Sequence, residues 1–401
     1  MVETYIKNNW DKCIRENKQD DGTLIGLPKP YIVPCIGGMF QEMYYWDTYF
    51  TNKGLAISGR WEQIKNNTDD MLYLVERYGY MPNGNRTFYL TRSQPPYLSM
   101  MVRDVYDHFQ DKSWLESAYK TLEKEYDFWQ EKRMTDTGLN QYGGTVNEAS
   151  MEELVPGFAQ RVGAKLPYDD PEQITKHHIV HCESGWDINP RWGFDAFNYV
   201  QIDVNALLYA LESNMSYFAS ELKNREENIW SERAAVRRTL MKKIFVTDDD
   251  LYYDYNFVTE QHSKVFSAGS FYPFLVCAAT EEQAKAAKDA LPRLEAEYGV
   301  LTCEKNDVPG NYQWDYPNGW APIQYIVIQG LMNYGYTEDA KRLAEKYVRL
   351  VDRVFEKTGN LWEKYNVVEG SINVTNEYEM PAMMGWSAGV YLYCADLLKN
   401  R

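Results

Sequence analysis

Ten residues near the middle of the chain, ESGWDINPRW at positions 183–192, combine a carboxylate, an indole, a hydroxyl, an amide and a guanidinium. Gly185 and Pro190 indicate that much of this segment is loop. The pair Trp186-Asp187 suits a general acid, because apolar surroundings raise the pKa of a carboxyl group and an indole face can stack on a sugar ring. The same pattern is equally typical of a tryptophan that anchors a loop whose acids point into water.

Four further segments show the same mixture of acids, aromatic rings and amides among turn residues: 37–50, 82–96, 313–322 and 362–386. Asparagine, arginine and glutamine supply the fixed donors and acceptors that sugar hydroxyls need. Each segment alone also fits a turn or a capped helix start, with Asp47 or Asp315 as the capping residue. Together, the segments favour a carbohydrate site.

Helical periodicity dominates the elements that must position these segments. Apolar residues at three- and four-residue steps predict amphipathic helices over 207–222 and 340–355. Thr280 and Gln283 form a capping-box pattern at another helix start, and a helix around 71–75 ends near Gly79. The prediction is a mainly α protein, a toroid of helix pairs in a single domain over 1–401. Its chemistry lies on long loops along one rim, which we place at 31–50, 79–97, 138–192, 303–322 and 357–386.

Charge and composition limit the classes of molecule that the protein can bind. The formal net charge of −16 repels phosphate backbones and anionic lipid. No apolar run approaches the roughly 18 residues that a bilayer span needs. We therefore expect no nucleic-acid or membrane partner, and a small neutral oligosaccharide or glycoside as substrate. The 33 tyrosines and 12 tryptophans exceed what core packing requires and are typical of carbohydrate clefts.

Cysteine usage and the N-terminus predict a location. The first ten residues have neither the basic nor the apolar region of a secretory leader, and the six cysteines show no metal-ligand spacing. The sequence thus predicts a cytoplasmic protein with reduced thiols. His177, His178 and His181 lie beside Cys182, but no second ligand group at zinc-finger or zincin spacing accompanies them. We expect no metal and no other cofactor.

Read in order, the five segments resemble the successive motifs of the trehalase family of glycoside hydrolases. The matching stretches are GGMFQEMYYWDTYF, PNGNRTFYLTRSQPP, ESGWDINPRW, QWDYPNGWAP and WEKYN. The resemblance implies an (α/α)6 barrel and inverting hydrolysis of an α-glucosidic bond, with Asp187 as general acid and Glu363 as general base. Inversion requires these carboxyl groups to lie roughly 6.5–9.5 Å apart, which leaves room for the attacking water. The resemblance also implies a sugar pocket formed by Phe40, Tyr44, Trp46, Asp47, Asn83, Arg92, Gln94, Glu172, Trp186, Arg191, Gln313, Trp314, Asp315, Glu377 and Trp386.

Three departures from the family pattern bear on the substrate. Met39 stands where trehalases place an arginine after the Gly-Gly turn, and Asp170 stands at the arginine of an upstream Arg-Pro-Glu element. The 13 residues between Glu363 and Glu377 contain only Gly370, where the family has a glycine-rich lid. Two lost charge-assisted hydrogen bonds, at about 1.5–3 kcal/mol each, would weaken trehalose binding by about one or more orders of magnitude. The predicted substrate is therefore α,α-trehalose or another α-glycoside, such as a different gluco-disaccharide or a glycosylglycerate.

Two alternatives come from other classes of protein. A sugar-binding relative without turnover would have the same aromatic platform, although it has no need for both Asp187 and Glu363. Toroidal lyases and epimerases use histidine or tyrosine bases, and an acidic chain with five histidines fits them poorly. For the individual carboxylates, the ordinary alternatives are a helix N-cap at Asp187 and a surface acid paired with Lys364 at Glu363.

Overall fold

Fourteen α-helices form most of the computed structural model, within the described residues 1–224, 226–376 and 378–399. None of them combines the length and apolar character needed to cross a membrane. They are α1 (Val2–Asn9), α2 (Tyr45–Ile57), α3 (Trp61–Tyr78), α4 (Leu98–Phe109), α5 (Lys112–Arg133), α6 (Glu148–Val162), α7 (Pro171–Ser184), α8 (Ile202–Glu221), α9 (Glu227–Phe245), α10 (Tyr272–Leu275), α11 (Glu281–Ala290), α12 (Ala321–Asn333), α13 (Thr337–Thr358) and α14 (Gly385–Lys399).

The helices pack in pairs around a ring, one member of each pair inside. α8, α12 and α14 are apolar and buried on nearly every side, which is expected of inner helices. α13 buries one apolar stripe and exposes charged residues, so it lies outside. Along the inner ring, α4 contacts α8, α8 contacts α10, α10 contacts α12, and α12 contacts α14. This is the predicted toroid of helix pairs.

Contact between α14 and α2 closes the ring. A Cβ on Gly54 of α2 would lie 2.6 Å from the Cα of Gly389 in α14, and a Cβ on Gly389 would lie 2.1 Å from the carbonyl oxygen of Phe50. Real side chains cannot occupy these positions, so both glycines are needed for the two backbones to approach this closely. The two ends of the ring are therefore joined backbone to backbone.

Nine short strands pair as small antiparallel ribbons within the described residues. β8 and β9 pair Trp320 with Lys364 and Asn318 with Asn366, which fixes the residue just before β9 against the entrance to α12. The strands are β1 (Ile14–Arg15), β2 (Tyr31–Ile32), β3 (Tyr199–Val200), β4 (Tyr255–Asn256), β5 (Gln261–His262), β6 (Glu295–Ala296), β7 (Gly299–Val300), β8 (Asn318–Trp320) and β9 (Lys364–Asn366).

Local predictions of helix ends are confirmed. Thr280 and Gln283 form a reciprocal capping box at the start of α11. Gly79 ends α3 in the left-handed region, at φ +82°.

One prediction about a longer segment is confirmed and another is wrong. Residues 207–222 lie almost entirely in the helix α8. This helix is buried all round near its start, but further along Met215 and Phe218 are buried whereas Asn214 and Tyr217 are partly exposed, as an amphipathic helix requires. Residues 138–192 are not one loop, since they contain α6 and α7. Pro156 and Gly157 inside α6 are typical loop residues, and α7 is rich in polar side chains that are nevertheless buried.

Candidate active site

A cavity of about 340 Å³ lies beside the N-terminal ends of α2, α12 and α14. Asp47 in the first turn of α2, Trp320 just before α12 and Trp386 in the first turn of α14 all line it. The turn after α7 and the residue before β9 contribute Asp187 and Glu363 to the same wall. Three inner helices of the ring thus supply Asp47 and part of the aromatic surface, and two non-helical segments supply the other two carboxylates.

A tight turn after α7 presents Asp187. Gly185 ends the helix at φ +71°, and a Cβ there would lie 2.6 Å from the ring of Trp46, so only glycine fits. The Ser184 hydroxyl accepts a hydrogen bond from the Trp186 amide, and Asn189 donates to the Trp186 carbonyl. These bonds hold the turn in place. The Asp187 side chain is 38% exposed, which leaves it accessible from the cavity.

Glu363 is buried in the opposite chemical setting. Its side chain is only 3% exposed, and each oxygen accepts one hydrogen bond. The Tyr378 hydroxyl donates to Oε1 at 2.5 Å, and the Lys364 ammonium donates to Oε2 at 2.8 Å. The indole of Trp386 donates to the Glu363 carbonyl at 2.9 Å, which fixes the main chain. Glu363 does pair with Lys364, but inside the cavity wall and not at the surface.

A third carboxyl group, Asp47, shares this environment. It is nearly buried, and burial raises its pKa well above the usual value. The negative charges of Glu363 and Asp187 raise the pKa of Asp47 further. A carboxyl group in this setting keeps its proton to higher pH and can then donate a hydrogen bond to a hydroxyl group. Asp47 is therefore suited to holding a sugar, while its two neighbours are available for proton transfer.

Stacked indoles form one side of the cavity. Trp314 and Trp320 are parallel, with ring centroids 3.8 Å apart and an interplanar angle of 3°. Trp46 meets Trp386 edge to face at 5.8 Å. Phe40 adds a further ring, in edge-to-face contact with Tyr378 at 6.1 Å. Such rigid apolar faces suit stacking against the C–H face of a pyranose ring.

A guanidinium and an imidazole reach the cavity from α6 and α7. Arg161 donates to Oδ2 of Asp187 at 3.3 Å and contacts Nε2 of His178 at 3.2 Å. Nδ1 of His178 lies 2.9 Å from the Leu154 carbonyl, which can only accept, so Nδ1 carries the proton and Nε2 accepts from Arg161. Burial lowers the pKa of His178 well below its usual value, and the Arg161 charge lowers it further. The ring is therefore neutral.

The histidines do not assemble a metal site in the part of the chain that the structure describes. No group of three His, Cys, Asp or Glu side chains there is arranged to hold an ion. His178 uses both ring nitrogens in contacts with the chain. His181 likewise contacts the Gly193 carbonyl through Nε2 and Asn189 through Nδ1.

Comparison with known proteins identifies the family. A family model described as Trehalase matches residues 1–399. The chain belongs to the trehalase family. It is 32% identical over 423 residues to the periplasmic trehalase of Pseudomonas aeruginosa, covering 97% of this chain and 75% of that protein. It is 31% identical over 422 residues to the periplasmic trehalase of Escherichia coli O1:K1 / APEC, with 98% and 74% covered.

Solved structures agree. The neutral trehalase of Saccharomyces cerevisiae matches with a TM-score of 0.77 and 27% identity, covering 99% of this chain and 80% of that one. A GH63 mannosylglycerate hydrolase from Thermus thermophilus shares the fold, with a TM-score of 0.67, 16% identity, and 98% and 99% covered. The predicted (α/α)6 barrel is confirmed, and the chain is a trehalase-family glycoside hydrolase that acts on a small sugar substrate.

Most of the site residues expected from the trehalase resemblance meet in the one cavity. Besides the two candidate catalytic carboxylates, its wall contains Phe40, Tyr44, Trp46, Asp47, Asn83, Arg92, Gln94, Gln313, Trp314 and Trp386. Glu377 lies outside the described residues. The roles of these side chains stay predictions, but their assembly in one place gives those predictions a common geometry.

Four other predicted site residues lie outside this cavity wall. Arg191 is fully buried and holds Asp254 through Nε and Nη2 and Asp203 through Nη1. Its guanidinium also covers the ring of Trp186 at 4.4 Å, so this pair supports the turn that carries Asp187.

The remaining two have local partners. Asp315 accepts hydrogen bonds from the Tyr316 amide and from Asn306, and burial raises the pKa of Asp315 to about 6. Glu172 is exposed at the start of α7 and pairs with Lys176. Asp170, which the motif comparison placed at an arginine position, accepts from the Glu172 amide and caps α7. An acid is physically favoured at such a helix start.

Several polar cavity residues were not among the predicted sugar contacts, including Tyr89, Glu153, Arg161, His178 and Tyr378. Tyr89 and Tyr378 lie in the recognised segments, so their position in the sequence could have identified them. Arg161 has no local signature, and His178 was considered only as a metal ligand. Arg92 and Glu153 form an ion pair at 3.0 Å across this side of the cavity.

The predicted location is wrong. Relatives at about 31% identity over nearly the whole chain are named periplasmic trehalases, which overturns the cytoplasmic prediction. Cysteine usage could not decide the question. All six cysteines are free, but only Cys277 is exposed, and buried thiols persist in either compartment because oxidants cannot reach them.

Proposed function

We propose that this trehalase-family enzyme hydrolyses α,α-trehalose to two glucose molecules with inversion, using Asp187 as general acid and Glu363 as general base. The observation that carries the proposal is the single cavity lined by both carboxylates and by an indole platform. At about 340 Å³ it lies at the small end of the range for ligand sites, so it suits one or two sugar rings and not a polymer.

The contacts of each carboxylate support its role. Glu363 accepts hydrogen bonds from an ammonium and a hydroxyl, an arrangement that fits an ionised, acceptor-only carboxylate. Each oxygen keeps another lone pair for a water molecule. Asp187 is more exposed, and only its Oδ2 contacts Arg161, which leaves Oδ1 to carry the proton.

In the reaction, the Asp187 proton passes to the glycosidic oxygen as the bond to the anomeric carbon breaks. Water attacks that carbon from the opposite face and gives its proton to Glu363. The attacked glucose is released in the β form, and the leaving glucose keeps its α configuration. Asp187 then takes up a proton from solvent and Glu363 loses one to it, which restores both groups. Asp47, whose pKa is raised by burial, is placed to donate a hydrogen bond to a hydroxyl of the sugar through these steps.

A second candidate, cleavage of another α-glycoside in the same site, has one specific observation in its favour. Met39 lines the cavity and is 44% exposed, so an apolar thioether does stand where hydrogen bonding to a second sugar was expected. Arg161 weighs on the other side, because it brings a guanidinium into the cavity from α6, next to Asp187. This arginine offsets the loss that the motif comparison indicated, and it favours trehalose.

A proton NMR time course with α,α-trehalose and a panel of other α-glucosides and glycosylglycerates tests the proposal. We expect trehalose to disappear and α- and β-glucose to appear in equal amounts before mutarotation, because only the attacked anomeric carbon inverts. Asp187→Asn and Glu363→Gln should each lower kcat by about 10²–10⁴-fold while ligand binding persists. Asp11→Asn, at an exposed carboxylate paired with Arg60, is the matched control and should stay active.

The other outcomes separate the alternatives. Intact trehalose alongside cleavage of another α-glycoside would support the second candidate. Initial release of α-glucose alone, with no β-glucose before mutarotation, would contradict the inverting mechanism. Unchanged turnover in Glu363→Gln would remove Glu363 from the reaction, and binding without any turnover would make the protein a sugar-binding relative.

A further inference from the structure

The general-base candidate is followed directly by a buried lysine that the mechanism does not use. Lys364 is completely buried, and its ammonium donates to Glu363 Oε2 at 2.8 Å and to Gln313 Oε1 at 3.1 Å. A buried ammonium is unfavourable unless it is paired and hydrogen-bonded. The pairing with Glu363 therefore restricts the positions of both the Lys364 ammonium and the Glu363 carboxylate.

The lysine is held rigidly. Its Nζ lies 4.7 Å from the centroid of the Trp320 ring and 5.1 Å from that of Tyr378, so two aromatic faces flank the charge. Trp320 is itself stacked on Trp314, and the main chain of Lys364 pairs with Trp320 in the β8–β9 ribbon. The ammonium consequently has little freedom to leave Glu363.

Lys364 also orients Gln313. An ammonium only donates hydrogen bonds, so the amide oxygen and not the amide nitrogen of Gln313 must face it. Gln313 lines the cavity, and this orientation leaves its NH2 group to donate to a ligand. One buried cation thus contacts both the proposed general base and a neighbouring amide whose orientation it fixes.

We propose that Lys364 is a positioning residue that keeps Glu363 ionised and in the orientation that accepts a proton from water, and that turns the Gln313 amide donor toward the sugar. The inference rests on the proposed function, because that function makes Glu363 the base. Other titratable groups act on the same carboxylate. Asp47 on α2 and Cys35 before α2 interact with it electrostatically, Tyr378 donates to it, and Asp187 after α7 acts on Asp47.

Lys364→Met, which keeps the length of the side chain and removes the charge, tests the inference. Without the ammonium, Glu363 takes up a proton more readily, so the acidic limb of the kcat/KM profile should move up by about 1–3 pH units. KM should rise by about two- to tenfold because Gln313 loses its orientation. If this variant does not fold, Lys364→Gln, which keeps a donor for Oε2, carries the same measurements.

Lys53→Met is the matched control. Lys53 is also a largely buried lysine, paired with Asp104 at 2.5 Å and lying over the Tyr49 ring, but it does not line the cavity. The Lys53→Met substitution should lower the melting temperature and leave the acidic limb of the kcat/KM profile unchanged. A merely structural role for Lys364 predicts the same behaviour for both variants.

A carbon NMR titration of the glutamate side-chain carboxyls, assigned with Glu363→Gln, makes the test independent of turnover. An upward shift of the Glu363 titration in Lys364→Met supports the inference whatever the substrate proves to be. An unmoved titration, or an equal shift in Lys53→Met, would overturn it. Failure of the proposed function shows separately, as a wild-type enzyme that cleaves no α-glycoside.

Discussion

Replacing Gly185 by alanine should damage both the stability and the activity of this enzyme, and the structure gives the size of the effect. The residue sits at φ +71°, where an alanine costs about 1–2 kcal/mol. Its Cβ would also lie 2.6 Å from Cε2 and 2.9 Å from Nε1 of Trp46. Trp46 cannot move aside, because it is buried against Trp314 and Trp386, so overpacking adds about 1–3 kcal/mol.

The expected loss in the free energy of unfolding is therefore about 2–5 kcal/mol, measured by urea denaturation. Displacement of the turn that carries Asp187 should also lower kcat by about 10²-fold, since misplacement by roughly 1 Å has that effect. Gly359→Ala is the matched control. It too ends a helix, at φ +69°, but nothing lies within 4 Å of its Cβ position. It should lose only the backbone contribution of about 1–2 kcal/mol and keep its activity.

Equal losses of stability in the two variants, with kcat unchanged in Gly185→Ala, would refute this reasoning. That result would mean that the Trp46 ring shifts freely and that the turn does not govern the position of Asp187. Tryptophan fluorescence gives an independent check, because only the Gly185 variant presses a methyl group against an indole of the cavity wall.

Three further predictions follow from buried charges. Because the raised pKa of Asp47 makes the native state bind its proton more tightly than the unfolded chain, wild-type stability falls as pH rises above about 4. The stability of Asp47→Asn relative to wild type should therefore increase between pH 4 and 8 in thermal unfolding, and a constant difference would contradict this. Arg161→Met removes the guanidinium beside Asp187 and should lower kcat/KM about 10- to 150-fold, whereas a change in stability alone would leave kcat/KM intact. Arg191→Met leaves two buried carboxylates unpaired and should cost about 3–5 kcal/mol in urea denaturation. The exposed Arg77→Met should cost less than about 1 kcal/mol, and similar losses in the two variants would count against the buried network.

Features decided within a few residues could be predicted from the sequence. The capping box at Thr280 and the helix-ending glycine at Gly79 need only local backbone geometry, and both are present. The resemblance to family motifs, and not helical periodicity, predicted that the cavity residues lie together. Asp187 and Glu363 are 176 positions apart in the sequence, and spacing alone gives no reason for them to line the same cavity.

Features that depend on distant partners could not be predicted. Arg191 has the residue type and motif position of a sugar ligand, but Asp203 and Asp254, 12 and 63 residues further along the chain, hold it inside the protein. Arg161 shows the reverse error. It lies on α6, a continuous helix whose sequence contains the loop-typical residues Pro156 and Gly157. Only the packing of α6 on α7 brings Arg161 to Asp187.

The cavity wall depends on closure of the ring. Trp46 and Asp47 come from α2, near the beginning of the ring, and Trp386 comes from α14, at its end. Trp386 contacts Trp46 edge to face and donates to the Glu363 carbonyl, so the proposed general base is tied to the seam between these helices. Closing so long a loop has an entropic cost that only the finished seam offsets. A state with intact helices and an open seam would therefore have every side chain of the proposed site and no cavity to hold a sugar.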